Sequence, residues 1–162
     1  MSEEKDLQTT SVPAVSSEEK TPSIKSELEN ASADILCTIK GDDPITKAKV
    51  FNALANPDYS LSDFTGKTVR MVDVLAQYVK ITDDKTGEVS TQPRVIIIDD
   101  QGKAYSCVSI GVMNSLTQIF MVMGRPHYDV PLPLSVSSKK GRHGYNFLSL
   151  AIDVAEYQKL NK

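Results

Sequence analysis

Between Lys139 and Phe147 the chain reads Lys-Lys-Gly-Arg-His-Gly-Tyr-Asn-Phe, which sets Lys139, Lys140 and Arg142 beside Tyr145 and Phe147. Cations meet phosphates, glycine lets a backbone come close to a ligand, and aromatic rings stack on bases. Downstream, Leu148, Leu150 and Ile152 alternate as in a half-buried strand. Tyr145 and Phe147 occupy the opposite parity and therefore share its outer face. A flexible hairpin whose aromatics pack under a loop or helix would use the same residues, and on this segment alone the two readings weigh equally.

Other cations and tyrosines could join such a surface. Arg94 opens one strand-like run, and Lys103 and Tyr105 share a parity in the next. Arg70, Tyr78 and Lys80 share a parity on a long β-branched stretch, provided that strand is continuous. Arg125 lies in Gly-Arg-Pro-His-Tyr, where a helix hands over to a strand, and could extend a basic groove. Together these residues fit a single-strand groove with aromatic steps, although a solvated strand face carries the same types.

Signals for catalysis are weaker. Asp99-Asp100 ends an apolar run and resembles a carboxylate pair for metal, but Asp-Asp-Gln-Gly is a good hairpin turn and no third acid lies at useful spacing. His127 and His143 belong to no Cys/His ligand spacing and read as surface-loop residues, and Cys37 and Cys107 form no Cys-x-x-Cys unit. No nucleophile elbow, Walker A or dinucleotide fingerprint is present. No cofactor is implied and an enzyme is not expected.

The elements that must position these residues can be read from periodicity. Asp43 caps and Pro44 opens a helix over Pro44–Ala55, with Ile45, Ala48, Phe51, Leu54 and Ala55 as its apolar stripe. Lys67–Ile81 reads as a long strand whose apolar phase shifts midway, the mark of a bulge or sharp bend. Arg94–Asp99 and Lys103–Ser109 form a hairpin around Asp100-Gln101-Gly102. A helix over Gly111–Met123 follows, with Val112, Leu116, Ile119, Phe120 and Met123 on one face and Gly124 as its stop. Leu132–Ser138 and Tyr145–Ile152 make the last two strands, and Asp153–Lys162 a short polar helix or strand extension. Three strands, a helix and two strands form the connectivity of an OB-fold, a five-stranded Greek-key barrel. The predicted fold class is thus mainly β with helices: that barrel, its helix between strands three and four, an N-terminal helix and a disordered N-terminal tail. An open-sheet α+β domain is the next best fit.

Composition agrees with one such domain plus a tail. The chain has 162 residues, 40% hydrophobic and 24% charged, with no Trp, which excludes collagen-like, coiled-coil and disulfide-framework classes. No apolar run approaches a membrane span and no secretory signal is visible, so a cytoplasmic protein without membrane contact is expected. The net charge of −3 averages two unlike parts: residues 1–34 carry −5 and residues 35–162 carry +2. The first part is rich in Ser, Thr, Glu and Lys without aromatics and reads as disordered, with weak helical spacing over Lys25–Leu36. The division drawn is an acidic tail over 1–38 and a nucleic-acid-binding domain over 39–162.

Several stretches also resemble a known family. Ala48–Asn56 (A-K-V-F-N-A-L-A-N), Leu61–Gly66 (L-S-D-F-T-G), Arg94–Gly102 (R-V-I-I-I-D-D-Q-G), Ala104-Tyr105-Ser106 and Gly141–Leu150 are similar to single-stranded DNA-binding proteins of phages of Gram-positive bacteria. The resemblance spans about residues 40–152. It implies an OB-fold, no catalysis, and coating of single strands during phage DNA replication in the host cytoplasm. Bacterial single-strand binders usually end in an acidic tail that recruits partners, whereas this chain ends Gln-Lys-Leu-Asn-Lys and is acidic at its N-terminus. The expectation is that the N-terminal segment recruits replication proteins or competes with DNA for the groove. An OB-type protein-interaction module without DNA binding, and an RNA-binding protein, are the competing readings.

Overall fold

A run of β-branched and apolar residues from Thr68 to Thr82 forms the longest strand, and a register shift between Met71 and Asp73 divides it. The shift is a β-bulge, which inserts one residue and bends the strand. Val69 and Met71 before it, and Val74, Ala76 and Tyr78 after it, all meet the same main core. The bulge therefore keeps one face buried along a bent strand, as the phase shift in the sequence predicted. It also places Arg70 on the face opposite Tyr78 and Lys80, which corrects the shared parity read from the sequence.

The computed structural model describes residues 35–162. Residues 1–34 of the tail drawn over 1–38, and with them most of the helical spacing over Lys25–Leu36, lie outside the described residues. In chain order the strands are β1 (Leu36–Cys37), β2 (Tyr59–Ser60), β3 (Thr68–Thr82), β4 (Val89–Asp99), β5 (Ala104–Val108), β6 (Leu132–Lys140) and β7 (Asn146–Ile152). The helices are α1 (Pro44–Ala55), α2 (Ile110–Met123) and α3 (Val154–Leu160), with a 3₁₀ turn over Leu61–Phe64. One curled mixed sheet runs β2-β5-β4-β3-β6-β7, and β1 pairs with β3 beyond the bulge. The sheet thus has seven strands among the described residues rather than the five expected. The two additions, β1 and β2, are two residues long each, too short to show a period. Leu36 and Cys37, assigned to the tail from sequence, belong to the sheet.

The outer edge of β7 meets α2 instead of another strand. Ser115 Oγ donates to Gly111 O at 3.0 Å and accepts from Leu150 N at 3.1 Å, so a strand-edge N–H is satisfied by a helix side chain. Covering an edge with a helix removes an unpaired ladder from solvent. The helix begins at Ser109, whose side chain accepts from Val112 N, and it buries Val112, Met113, Leu116, Ile119 and Phe120 in the main core. That face is the one its periodicity predicted.

α1 covers the opposite face of the sheet. Ala53, with Val50 and Leu54 beside it, packs over Leu75, Ile96 and Ala104. The predicted stripe is corrected here, since Ile45 and Phe51 are each 66% exposed and only Leu54 of that stripe joins the contact. A small residue, Ala53, lies where helix and sheet approach, so the largest side chains of the helix do not mark its packed face.

At the bulge, Thr38 replaces a missing strand neighbour. Its N–H donates to Val74 O at 3.1 Å, its Oγ1 accepts from Val74 N at 2.9 Å, and the hydroxyl donates to Asp73 Oδ1 at 2.8 Å. Thr38 and Asp73 are each 5% exposed, so loss of these bonds leaves buried groups unsatisfied. Thr38→Val, nearly isosteric, is expected to lower stability by about 2 kcal/mol. Urea denaturation followed by circular dichroism checks it, and an unchanged midpoint would contradict this account.

Candidate nucleic-acid interface

The β6–β7 hairpin carries the densest group of predicted contacts. Lys139 pairs with Phe147 and Lys140 with Asn146 across the two strands. The turn closes through Gly141 N donating to Tyr145 O at 2.7 Å and Gly144 N donating to Gly141 O at 3.3 Å. Gly144 has φ +79°, a conformation that a side chain would strain. Lys139 and Phe147 lie on the outer face, because Val136, Leu148 and Leu150 meet the core at the alternate parity.

Tyr145 is 77% exposed and Phe147 41% exposed. Phe147 is partly held: Cδ2 lies 3.0 Å from an ideal Cβ on Gly111 and Cδ1 lies 3.5 Å from one on Gly141, so both glycines make room for the ring. One ring is thus buttressed and the other free, with Lys139, Lys140 and Arg142 exposed around them. Cations and exposed aromatic rings are brought together here as the sequence pattern implied.

The remaining predicted residues go elsewhere. Arg70 pairs with Glu156 Oε1 at 2.5 Å and with Asp100 Oδ2 at 3.7 Å, so α3 and the β4–β5 turn take up its charge. Arg94 is half-buried and donates to Leu54 O at 2.9 Å, tying the end of α1 to β4. A cation at a helix C-terminus suits the carbonyl dipoles there. Tyr78 is half-buried against the core and Lys80 is exposed further along the β3–β4 hairpin. Lys103 is exposed in the β4–β5 turn, and Arg125 is exposed in the loop after α2.

Tyr105 differs most from its expected use as a stacking ring. It is 8% exposed, and its hydroxyl donates to Asp99 Oδ2 at 2.8 Å. Burial first, and the Asp99 carboxylate second, push that hydroxyl well above its ordinary pKa of 10.0. Its parity faces the core, which strand alternation alone did not distinguish from the outer side. Asp99 also accepts from Gln101 N and Lys103 N, each at 2.8 Å, so the Asp99-Asp100 pair is a turn, as read. His127 sits in a loop and its Nδ1 lies 2.8 Å from Asp73 Oδ2. Among the described residues no three His, Cys, Asp or Glu side chains gather as a metal site.

Two further features went unread in the sequence. Tyr59, Phe64 and Tyr105 form an aromatic cluster with ring centroids 4.9–5.2 Å apart, and Lys67 Nζ lies 5.4 Å from the Phe64 ring centre. The available signal was two aromatics and a lysine in the loop ahead of a strand. The cluster itself depends on the parallel pairing of β2 with β5, which is remote in sequence. A groove of about 530 Å³ also opens between α1 and the outer face of the sheet, near Asn52, Asn56, Gln101 and Asp58. Its carboxylates serve the fold, Asp58 Oδ2 accepting from Ala104 N at 2.9 Å.

Among the described residues no helix is long and apolar enough to cross a membrane. No curated protein and no solved structure matches the chain. Residues 29–153, by contrast, match the family model of phage single-stranded DNA-binding proteins of the phi29 type. That span takes in every strand of the described residues, α1, α2 and the basic, aromatic hairpin. The chain belongs to the phage single-stranded DNA-binding protein family.

Proposed function

We propose that this protein binds single-stranded DNA with little regard to sequence, and coats and protects strands exposed during phage DNA replication and recombination. The observation that carries this reading is the exposed face of the β6–β7 hairpin, where Tyr145 and Phe147 adjoin Lys139, Lys140 and Arg142. In a family of single-strand binders, such a face supplies both ring surfaces for bases and cations for phosphates. Lys80 and Tyr78 on the β3–β4 hairpin, Lys103 in the β4–β5 turn and Arg125 after α2 are secondary contacts. Arg70, Arg94 and Tyr105 serve mainly to hold the scaffold in place.

An OB-type architecture is part of the same reading. The five longer strands, β3 to β7, follow its order with α2 between β5 and β6, and β3 pairs with both β4 and β6. The binding itself requires no catalytic step and no cofactor. The acidic N-terminal segment, carrying −5 over residues 1–34, would recruit replication proteins in the host cytoplasm.

The test is a fluorescence-anisotropy titration with labelled oligo-dT, oligo-U and duplex DNA across a range of salt. Three phosphate contacts from the hairpin cations give a slope of about −2 in log K against log salt on a single strand, which each further cation in contact steepens by about 0.7, so the expected slope is about −2 or steeper. Binding to oligo-dT at low salt with that slope supports the proposal. Failure to bind oligo-dT at low salt ends it, and preference for oligo-U would redirect it to RNA.

A further inference from the structure

We infer that Tyr59 is a second base-stacking position, with Lys67 as its phosphate contact, forming a subsite apart from the hairpin tip. This rests on the single-strand reading above and deepens it. Tyr59 lies on β2, at the end of the sheet path, and stays 42% exposed. Two other rings support it: Phe64 edge-on at 5.2 Å and 65°, and Tyr105 at 5.1 Å and 36°. Phe64 and Tyr105 in turn meet edge-on at 4.9 Å, and Tyr105 is fixed through Asp99. Edge-to-face neighbours hold a ring in place, and the exposed part of Tyr59 is left for a flat partner. Little side-chain entropy would remain to be lost when a base stacks there.

Lys67 completes the pattern. It lies 5.4 Å from the Phe64 ring centre, and no carboxylate among the described residues pairs with it. Its backbone is fixed, since Gly66 N donates to Val136 O at 2.8 Å and Val136 N donates to Lys67 O at 3.0 Å. Val136 is on β6, the strand that ends in Lys139 and Lys140. Three residues of strand rise separate Val136 from Lys139, about 10 Å along the backbone. A single strand leaving the hairpin tip therefore reaches Lys67 and Tyr59 within a few nucleotides.

The experiment compares full-length wild type, Tyr59→Phe, Tyr59→Leu and Lys67→Ser in the same oligo-dT titration. The chain has no Trp and six Tyr, so intrinsic tyrosine emission provides a second readout. Tyr59→Leu is expected to weaken binding at least fivefold. Tyr59→Phe keeps wild-type affinity but loses part of the emission quenching caused by DNA, and Lys67→Ser flattens the salt slope by about 0.7. The Phe variant keeps the ring cluster, so its lost quenching reports contact at this position independently of folding. If wild type binds oligo-dT while Tyr59→Leu binds equally well and Tyr59→Phe is quenched as fully, the second subsite is overturned and the hairpin reading stands. A wild type that does not bind overturns the functional reading itself.

Discussion

Gly111→Ala is expected to cost about 3 kcal/mol and to lower the melting temperature by roughly 10 °C. An ideal Cβ on Gly111 would lie 2.2 Å from Leu148 O and 3.0 Å from Phe147 Cδ2. The first neighbour is backbone and cannot rotate away, so either α2 or β7 must shift. A shift strains the contact in which Ser115 Oγ joins Gly111 O to Leu150 N, and it exposes the β7 edge that α2 covers. Ser115→Ala gives the milder comparison, about 1–2 kcal/mol, because it removes the bridge without forcing the elements apart. Thermal unfolding by circular dichroism measures both. An alanine at 111 that melts with wild type would mean that α2 does not seat on β7 as described. Because Phe147 packs on the same glycine, the substitution should also disturb the hairpin face and reduce DNA binding near the melting range.

How far the sequence revealed this arrangement depended on the kind of signal each element carries. The change of apolar phase from Val69 and Met71 to Val74 and Ala76 identified the bulge in β3, because burial on one face is recorded residue by residue. Its consequence for Arg70 was less accessible, since counting parity through an inserted residue sends a side chain to the wrong face. The packed face of α2 was legible because Val112, Leu116, Ile119 and Phe120 recur at helical spacing and are all buried in the core. That of α1 was not, because close approach selected Ala53 while Ile45 and Phe51 remained outside. The strands β1 and β2 owe their existence to distant partners, Leu36 opposite Ala76 and Tyr59 opposite Tyr105, and two residues show no period. Of the candidate site, the hairpin cluster was readable as a local run of cations, glycines and rings. The roles of Arg94 and Arg70 were not, because the helix end and the carboxylates that receive them lie far along the chain.

Replacing Tyr145 by alanine is expected to weaken oligo-dT binding by about 1–3 kcal/mol, the usual worth of one stacked base. At 77% exposure the ring contributes little to the fold, so the variant should melt with wild type. Tyr145→Ala with Phe147→Ala should lose more, on the order of 3 kcal/mol or a hundredfold. Phe147 also fills space against Gly111 and Gly141, so part of the double variant's loss will come from a loosened hairpin. The single variant therefore isolates stacking. Arg94→Met supplies the contrast: it should release the end of α1 and lower stability while leaving DNA affinity within about twofold, because its guanidinium is already committed to Leu54 O. Anisotropy titrations well below the melting range distinguish the two effects. If Arg94→Met lost affinity and Tyr145→Ala kept it, the DNA would have to run along the outer face near α1, and the hairpin would be a scaffold feature with exposed rings.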